Sequence, residues 1–497
     1  MLSPIAHNTP IYRTAEIRAI EAAASTHPLM ERAGLAAAEL ARELAGNNGG
    51  PVLVLAGPGN NGGDALVIAR HLKQWWFKVT VVFSGDDAKL SGDATAAFRA
   101  WREAGGVTVG ELPAAREWGL IIDGLFGIGL QRDVAGRHAE LIAAINGMHA
   151  PKLAVDIPSG LESDTGRVMG CAVRADHTIT FIALKPGLLT LDGPDHCGEL
   201  HIGTLGIDAP AIKPTQGAVI GEGVLKEVLH PRRRNTHKGD YGSVGVIGGA
   251  HGMVGAALLA GRAALKLGTG RVYVGLIARD ALLVDMTQPE LMLRSADEVL
   301  KFGHLTALAV GPGLGQSPDA AFYLKWAMES PVPLVIDADS LNLIGATESL
   351  RNMLKQRSAP TLLTPHPAEA ARLLGSTTRD VQQDRVAAAL KLAQDLHSHV
   401  VLKGAGSVCA APDGAWAINT SGNPGMASAG MGDVLTGIIA ALLCQGADAK
   451  KALHAAVYLH GAAADALVAE GAGPAGLTAG ESIDAARRLI NASCRSN

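Results

Sequence analysis

The chain has 497 residues, of which 48% are hydrophobic and only 4% aromatic, so roughly two to four domains with aliphatic cores are expected. Its formal charge of −4 gives no field that would steer nucleic acid or an anionic membrane surface, and we expect neither as a partner. The five cysteines lack metal-ligand spacing and the N-terminus lacks a secretory pattern, which predicts a cytoplasmic protein with reduced thiols. The longest apolar stretches, such as residues 434–444, look too short to cross a bilayer.

The first half of the chain has the pattern of parallel βαβ units. Residues 13–45 place apolar side chains at mostly helical spacing, which predicts a helix. Three short apolar runs follow, at residues 52–56, 120–122 and 153–155. Each run ends in a polar, Gly-containing loop: GPGNNGGD, DGLFGIGL and DIPSGLESDTG. Helical segments such as 65–74 alternate with these runs, and this alternation predicts a parallel sheet.

These three loops follow strand ends and should therefore converge, because ligands of open parallel sheets bind outside the carboxyl ends of the strands. The glycines let backbone amides approach a ligand, and the helix that follows the first loop favours phosphate at its N-terminus. Asn61, Asp123, Asp156 and Ser159 offer oxygen ligands for a cation or for ribose hydroxyls. Each loop alone is equally compatible with an ordinary turn, with Asp64 as a helix cap. The three together favour a ligand site.

A change of pattern at residues 206–222, which hold two prolines and little periodicity, predicts a domain boundary. We therefore expect domains at residues 1–215 and 222–497. The second domain again alternates short apolar runs with loops that contain Gly or Asp, so it too is predicted to be α/β. Its predicted strands are residues 244–247, 272–277, 307–310, 334–336, 361–363 and 400–402.

Residues 419–437, NTSGNPGMASAGMGDVLTG, carry the strongest single signal. Gly430 and Gly432 predict a backbone concavity at the N-terminus of a helix that starts at Val434, where amides and the helix dipole can hold a phosphoryl group. Asp433 is placed to accept a proton from a substrate hydroxyl. The competing interpretation is a helix cap after ordinary turn glycines. The four closely spaced glycines and the Asn-Pro-Gly turn favour the phosphoryl site.

Other loops of the second half support a ligand site at the same sheet edge. HKGDYG precedes the strand at 244–247, and GPGLG, DADSLN, TPHPAE and KGAGS each follow a predicted strand. A lone histidine is more often structural. His366 lies between two prolines at a predicted strand end, and we expect it to contact the ligand.

The segments GPGNNGGDALVIARHL, DGLFGIGLQRDVAG and VDIPSGLESDTG resemble the NAD(P)HX epimerase family over about residues 10–210. The resemblance implies a Rossmann-like three-layer αβα domain that interconverts the R and S forms of hydrated NADH and NADPH. It implies that Asp156 lies at the reacting ring, either as acid/base or as an orienting group. The residues implied to bind the hydrate are Asn60, Asn61, Gly62, Gly63, Asp64, Gly127, Ile128, Gly129, Leu130, Gln131, Arg132, Asp133 and Asp156.

The same resemblance implies a potassium ion bound by Asn61, Asp123 and Ser159. One position departs from the family pattern, because Ala65 stands where Gly usually follows the NNGGD run. A methyl group at a helix start costs little in itself. It can, however, crowd a ligand, and the sequence leaves open whether Ala65 impairs the epimerase.

HKGDYG, GPGLG, DADSLN, TPHPAE, KGAGS and GMGDVLTG resemble the ADP- or ATP-dependent NAD(P)H-hydrate dehydratase family over about residues 225–490. The resemblance implies a ribokinase-like αβα fold and phosphorylation of the C6 hydroxyl of the S hydrate, followed by loss of phosphate. It assigns the nucleotide to Lys403, Gly404, Ala405, Gly406, Ser407 and Gly432. It assigns the hydrate to Ala256, Gly313, His366 and Asp433, with Asp433 as the catalytic base. Magnesium is expected with the nucleotide, and ADP is expected by analogy with fused bacterial members.

The sequence thus predicts a bifunctional repair enzyme that acts on NADHX and NADPHX with ADP. One alternative is a ribokinase-like kinase of a small molecule with an N-terminal ligand-binding module. Another is a nucleotide sensor or scaffold without activity, which would leave Asp433 with no role beyond capping. The sequence does not decide between ADP and ATP or between NADHX and NADPHX. The Ala-rich helices are equally compatible with a homo-oligomer and with a monomer's core.

Overall fold

The computed structural model describes residues 2–46, 50–90, 92–113 and 117–494. Internal contacts divide the chain into two units. Unit 1 comprises Met1–Ile5 and Thr9–Gly217, and unit 2 comprises Ala6–Asn8 and Ala218–Asn497. Strands and helices alternate along both units, so the predicted α/β fold class is confirmed.

Unit 1 is built on a largely parallel sheet. The strands along unit 1, of which all but β2 belong to this sheet, are β1 (Leu2–Ser3), β2 (Pro10–Ile11), β3 (Val52–Ala56), β4 (Val79–Phe83), β5 (Thr108–Val109), β6 (Leu120–Gly124), β7 (Lys152–Val155), β8 (His177–Phe181) and β9 (Glu199–Gly203). Its helices are α1 (Thr14–Ala23), α2 (Leu29–Gly46), α3 (Asn60–Gln74), α4 (Gly92–Glu103), α5 (Gly136–Asn146), α6 (Gly193–Cys197) and α7 (Ala209–Ile212).

The sheet of unit 1 has the strand order β1-β9-β8-β7-β6-β3-β4-β5. Its pairs are parallel, except that β1 runs antiparallel to β9. The strands β3, β6 and β7 are neighbours, so the loops that follow them share one edge, as the sequence predicts.

Both faces of this sheet are buried, because side chains alternate along a strand. In β3, Val52 and Val54 pack with residues of α2 and α3, whereas Leu53 and Leu55 pack with residues of α5. Unit 1 is therefore a three-layer αβα fold.

Unit 2 has a second, larger sheet. Its strands are β10 (Gly217–Ile220), β11 (Ser243–Gly248), β12 (Arg271–Leu276), β13 (Met292–Ser295), β14 (Ala307–Val310), β15 (Leu334–Ile336), β16 (Thr361–Leu363), β17 (His399–Leu402), β18 (Val408–Ala410) and β19 (Trp416–Asn419). Its helices are α8 (Gly223–Val228), α9 (Val254–Lys266), α10 (Ala296–Leu300), α11 (Pro318–Glu329), α12 (Asp339–Ala346), α13 (Glu348–Lys355), α14 (Pro367–Leu374), α15 (Thr378–Gln383), α16 (Arg385–Asp395), α17 (Met431–Cys444), α18 (Ala449–Ala469) and α19 (Ala479–Ser493).

The strands of unit 2 lie in the order β13-β12-β11-β14-β15-β16-β17-β18-β19-β10. The strands from β13 to β17 in this order are parallel, and β18 and β19 continue the sheet as antiparallel strands. On one face, α9, α17 and α18 form the core with Val244 and Val246 of β11. A side chain at Gly437 would collide with the carbonyl oxygen of Ala260, so this glycine lets α17 approach α9 closely.

Helix α18 corrects the prediction that the apolar stretches are too short to cross a bilayer. Within the described ranges it is the one helix that is long and apolar enough to do so, by length and composition alone. Of its apolar window, 61% is buried within the fold. Leu453, Ala456 and Leu459 lie in the core of unit 2, so the apolar character of α18 is that of a core helix.

The structure also corrects three predicted element boundaries. The predicted helix at 13–45 is two helices, α1 and α2, because Pro28 cannot continue the first of them. Helix α3 begins at Asn60 rather than at Ala65, and α17 begins at Met431 rather than at Val434. The polar segments NNGGD and MGD are therefore the first turns of helices rather than the loops before them.

Candidate active sites

A cavity of about 1020 Å³ lies at the carboxyl edge of the sheet in unit 1. Most of the residues predicted to bind the hydrate line it, namely Asn60, Asn61, Asp64, Gly127, Ile128, Gly129, Leu130, Gln131, Arg132 and Asp156. The structure adds lining residues that the sequence reasoning missed, namely Arg18 and Glu21 of α1, Met30 of α2, Phe181 of β8, and Lys185. No sequence motif marks these residues. The sequence predicted α1 only as part of one long helix and did not predict β8, so their position beside the cavity could not be inferred.

Gly62, Gly63 and Asp133 are not among the residues that line this cavity. A side chain at Gly62 would collide with the carbonyl oxygen of Gly57, and one at Gly63 would lie 2.7 Å from the Met30 side chain. These glycines allow the first turn of α3 to pack closely against its surroundings. Close packing within unit 1 is sufficient to explain Gly62 and Gly63. A role of Gly62, Gly63 and Asp133 in ligand binding stays a prediction.

Asp156 and Lys185 form a buried ion pair. The Lys185 amine donates hydrogen bonds to Oδ1 of Asp156 at 2.6 Å, to Oγ1 of Thr180 at 2.7 Å and to the Phe181 carbonyl at 3.0 Å. The backbone of Asp156 has a positive φ of 67°, a left-handed conformation that residues other than glycine rarely adopt. Such strain is common at functional sites, where the surrounding structure holds it in place. The pair therefore fixes a carboxylate in one position at the cavity wall.

Asp64 and Glu21, which also line the cavity, have environments that differ from that of Asp156. Burial, and then the negative charge of Asp156, raises the pKa of Asp64 well above its ordinary value. The same two causes, in the same order, raise the pKa of Glu21, and the positive charge of Lys185 opposes them. The cavity thus holds two carboxyl groups with a raised pKa, Asp64 and Glu21, beside Asp156, which is paired with the Lys185 amine.

The three predicted cation ligands, Asn61, Asp123 and Ser159, are all buried. Asp123 is fully buried at the end of β6 and accepts hydrogen bonds from the Ser159 hydroxyl at 2.6 Å and the Ser159 amide at 2.8 Å. Burial raises the pKa of Asp123 to about 6, although these hydrogen bonds oppose the shift. Both amide atoms of Asn61 are buried and lack a hydrogen-bond partner in the part of the chain that the structure describes. Buried oxygens with an unused amide carbonyl suit a cation.

Ala65 packs toward the sheet. A side chain at Gly124 would lie 2.5 Å from the Cβ of Ala65, and Ala65 itself is fully buried. It is not among the residues that line the cavity. The methyl group therefore fills the space between α3 and β6 rather than the space of a ligand.

In unit 2, the N-terminus of α17 faces an ion pair. Gly430 is the N-cap, with a φ of 86°, and contributes no side-chain hydrogen bond to the helix. A Cβ at Gly432 would lie 3.2 Å from Nζ of Lys403 and 3.7 Å from Oδ2 of Asp337. The Lys403 amine lies 3.0 Å from Oδ1 of Asp337, and the Thr436 hydroxyl donates to Oδ2 of the same carboxylate at 2.9 Å. Asp337, quoted within DADSLN but assigned no role from sequence, orients the predicted nucleotide-binding lysine.

Asp433 is the third residue of α17 rather than its cap, so the capping interpretation does not apply to it. Burial, and then the negative charge of Asp337, raises the pKa of Asp433 to about 6, and the charge of Lys403 opposes this shift. A carboxylate whose pKa lies just below neutral pH is suited to accept a proton.

The remaining predicted nucleotide ligands lie in the turn that follows β17. The Gly404 amide donates to the Ser407 hydroxyl at 3.3 Å, and that hydroxyl donates to the Gly404 carbonyl at 3.0 Å. Gly404 has a φ of 147° and lies against the guanidinium of Arg385. Arg385 is almost fully buried and donates to the carbonyl of Lys403 at 3.3 Å. Arg385 thus supports the backbone of this turn. No sequence motif indicated this contact, because Arg385 lies in α16, outside the KGAGS segment. Ala405 and Gly406 complete the turn and are exposed and half-buried, respectively.

Ala256 and Gly313, two predicted ligands of the hydrate, are neighbours. A side chain at Gly313, whose φ is 58°, would collide with the Met253 carbonyl and lie 3.2 Å from Cβ of Ala256. The Ala250 amide donates to the Gly313 carbonyl at 2.7 Å, which joins the loops after β11 and β14.

His366 serves as the N-cap of α14. Its Nδ1 accepts a hydrogen bond from the Ala368 amide at 3.1 Å, and its own amide donates to Oε2 of Glu369 at 2.8 Å. Burial, and then the charge of Lys403, lowers the pKa of His366, so the neutral imidazole is favoured. Burial raises the pKa of Glu369 to about 7, although Lys403 opposes this shift. His366 thus has a structural role, and its contact with the hydrate stays a prediction.

Two family models match separate parts of the chain. A family model described as NAD(P)H-hydrate dehydratase matches residues 244–484, and one described as YjeF-related protein N-terminus matches residues 26–187. The bifunctional NAD(P)H-hydrate repair enzyme of Escherichia coli is 40% identical over 472 residues, which cover 94% of this chain and 90% of that protein.

Solved structures resemble just over half of the chain. A ribokinase-like superfamily protein from Enterococcus faecalis is 26% identical with a TM-score of 0.50, covering 56% of this chain and 96% of that one. The ADP/ATP-dependent NAD(P)H-hydrate dehydratase of Bacillus subtilis, co-crystallized with ATP/Mg²⁺, is 31% identical with a TM-score of 0.49, covering 55% of this chain and 98% of that one. The likeness to the Enterococcus faecalis protein confirms the predicted ribokinase-like fold. The chain belongs to the family of bifunctional NAD(P)H-hydrate repair enzymes.

Proposed function

We propose that the chain interconverts the R and S forms of NADHX and NADPHX and dehydrates the S form at the expense of ADP, giving AMP and phosphate. We assign epimerisation to residues 1–215 and dehydration to residues 222–497. Asp433 carries the proposal, because it combines a raised pKa of about 6 with a position one residue from the Gly432 backbone that faces Lys403 and Asp337. A binding module alone has no need of a base at that point.

In the dehydratase site, Asp433 takes the proton of the C6 hydroxyl as its oxygen bonds to the terminal phosphorus of ADP. The bond to AMP breaks in the same step, and the amides at the start of α17 face the charge that develops on the phosphoryl oxygens. Lys403, oriented by Asp337, supplies positive charge to the phosphates. Phosphate then leaves C6 and a proton leaves C5, which restores the double bond of the reduced nicotinamide. Phosphate leaves far more readily than hydroxide, which is why a nucleotide is consumed.

In the epimerase site, the C–O bond at C6 breaks and re-forms on the other face of the ring. Asp64, whose pKa burial raises well above its ordinary value, donates a proton to the departing hydroxyl, which leaves as water. Asp156 stays paired with Lys185 and faces the resulting ring cation. When water adds to the opposite face, it releases a proton to solvent, and Asp64 regains its proton from solvent. No net proton is consumed.

Two cations fit the residues of these sites. Asn61, Asp123 and Ser159 would hold potassium, since the Asn61 carbonyl is unused and Asp123 and Ser159 add buried oxygens. A bound potassium ion would supply positive charge to the phosphates of the hydrated dinucleotide. Asp337 and Glu369 both act electrostatically on Lys403, and such carboxylates would suit magnesium that arrives with the nucleotide.

The family membership favours this function over the alternative of a small-molecule kinase with a ligand-binding module. We also propose that the enzyme acts in the cytoplasm, since its five cysteines, all free in the structure, suit a reducing compartment.

The test uses purified chain, the separated R and S hydrates, and ADP or ATP. S-NADHX with ADP should regain the near-ultraviolet absorbance of NADH and release AMP. R-NADHX alone should convert to a mixture of R and S without nucleotide. If nucleotide is consumed while neither hydrate changes, the kinase alternative replaces the proposed function.

A further inference from the structure

His177, Glu199 and His201 form a cluster on the edge of unit 1 that the proposed reactions do not use. His177 in β8 lies opposite Glu199 in β9, and the two-residue alternation of a strand places His201 on the same face as Glu199. Nδ1 of His177 lies 3.3 Å from Nε2 of His201. Carboxylate oxygens of Glu199 lie 3.5 Å from Nδ1 of His177 and 3.9 Å from Nε2 of His201. Three groups of metal-ligand type thus converge.

These separations match those around one small metal ion. Zinc binds imidazole nitrogen at about 2.0–2.1 Å in tetrahedral geometry, which places two nitrogen ligands about 3.3–3.4 Å apart. The two imidazole nitrogens are at that separation. The Glu199 side chain is 68% exposed, so its carboxylate is free to move the few tenths of an ångström that a bond to the same ion requires.

The electrostatic setting favours a cation. The cluster contains one carboxylate, and a second one, that of Glu43 on α2, also acts electrostatically on His201. The histidines are partly shielded, with exposed side-chain fractions of 22% for His177 and 15% for His201. Two imidazoles and a carboxylate form a mixed ligand set that selects zinc and its neighbours over magnesium or calcium, which prefer oxygen ligands alone.

We propose that His177, Glu199 and His201 bind a divalent transition-metal ion, for which Zn²⁺ is the probe, with solvent in the remaining coordination position. His177 begins β8, whereas Lys185 follows the end of the same strand, and none of the three ligands lines the epimerase cavity. The metal is therefore distinct from the proposed potassium site. It ties β8 to β9 at the edge of the sheet and stabilises unit 1.

The competing explanation is a neutral hydrogen-bonded pair of histidines with no metal. Titration of the full chain with Zn²⁺, after treatment with a chelator, separates the two explanations. The proposal predicts saturable binding of one Zn²⁺ per chain and a rise in Tm with Zn²⁺ concentration, because binding to the folded state alone stabilises it. His177→Ala and His201→Ala should abolish this binding, and Glu199→Gln should weaken it at least tenfold. His149→Ala removes an exposed histidine outside the cluster and should leave the binding intact.

The Glu199→Gln variant keeps both imidazoles, so weaker binding in this variant is not caused by loss of a histidine. Far-ultraviolet circular dichroism of every variant checks that the fold is intact. Co²⁺ in place of Zn²⁺ should give the visible absorption of a tetrahedral site in the native chain and lose it in His201→Ala. The proposal is overturned if the native chain binds no Zn²⁺, or if His177→Ala and His201→Ala bind it as tightly as His149→Ala. Neither outcome depends on epimerase or dehydratase activity.

Discussion

The Lys185 amine lies 2.6 Å from Oδ1 of Asp156, and its side chain is only 1% exposed. The amine has two further acceptors, Thr180 and the Phe181 carbonyl, so its three protons are all used. A buried ammonium held in this way fixes the Asp156 carboxylate at the wall of the unit 1 cavity. Sequence reasoning singled out Asp156 but not the lysine that orients it.

Replacing Lys185 by Met should lower the rate of R-to-S exchange about 10²-fold or more, because Asp156 loses the charge that orients it. It should also destabilise unit 1 by about 3–5 kcal/mol, the usual cost of leaving one partner of a buried ion pair alone. Exchange rates and thermal unfolding measure the two effects. Lys89→Met removes a lysine whose side chain is 82% exposed and should change neither. An unchanged exchange rate in a folded Lys185→Met protein would exclude the proposed role of the pair.

Asp433→Asn should reduce dehydration of the S hydrate about 10²–10⁴-fold while epimerisation persists. In the native chain the base works only when it is ionised. Since the pKa of Asp433 is raised to about 6, dehydration should fall tenfold per pH unit below about pH 6 and level off above it. Single-turnover rates across pH measure this limb. A profile that stays flat down to pH 4.5 would assign the base to another group.

Gly432→Ala should raise the KM for ADP, because the new methyl group would lie 3.2 Å from the Lys403 amine and occupy the concavity at the start of α17. Gly480→Ala, in α19, is the matched control, since no atom lies within 4 Å of its added methyl group. The control should keep the KM for ADP and gain up to about 1 kcal/mol of helix stability. Equal KM values in the two variants would show that nucleotide does not contact Gly432.

Asn61→Leu tests the cation pocket. A buried amide without a partner costs about 1–3 kcal/mol, so an apolar side chain of similar size should leave the cation-free protein as stable as the native one, or more so. In the native chain, we expect potassium to stimulate epimerase activity and to raise Tm, and the same change should abolish both effects. The native chain in lithium should behave like the variant. Retention of both potassium effects by Asn61→Leu would remove this residue from the cation site.

Ala65→Gly should leave the KM for the hydrate unchanged, because the Ala65 methyl faces Gly124 rather than the cavity. It should lower stability by about 1 kcal/mol through the helix propensity of glycine, and by more if a small void remains against β6. Epimerase kinetics and denaturant unfolding give the two values. A marked fall in KM would mean that the native methyl group does crowd the ligand.

The sequence predicted what depends on local pattern. The strands β3, β14, β15 and β16 lie at the predicted residues. An apolar run this short, bounded by loops that contain Gly or Asp, fits a buried strand better than a helix. Helix starts were misplaced where polar residues begin the helix, as at Asn60 and Met431. A local pattern cannot distinguish such a first turn from a loop.

Partners distant in the chain could not be predicted. Lys403 and Asp337 are separated by 66 residues, and Asp156 and Lys185 by 29. Only the order of strands in each sheet brings them together. The role of His366 as a helix cap could not be predicted either. The sequence shows the prolines on both sides of His366 but not the hydrogen bond that the Ala368 amide donates to it.

We propose that one chain repairs both epimers. Incubation of a freshly prepared R and S mixture of NADHX with the purified chain and excess ADP measures this directly, with AMP and NADH quantified at the end point. We expect complete conversion of both epimers to NADH, with one AMP per NADH formed. In Asp156→Asn, conversion should slow sharply once the S fraction is exhausted. Native conversion that stops when the S form is consumed, or NADH formed without AMP, would contradict the proposed function.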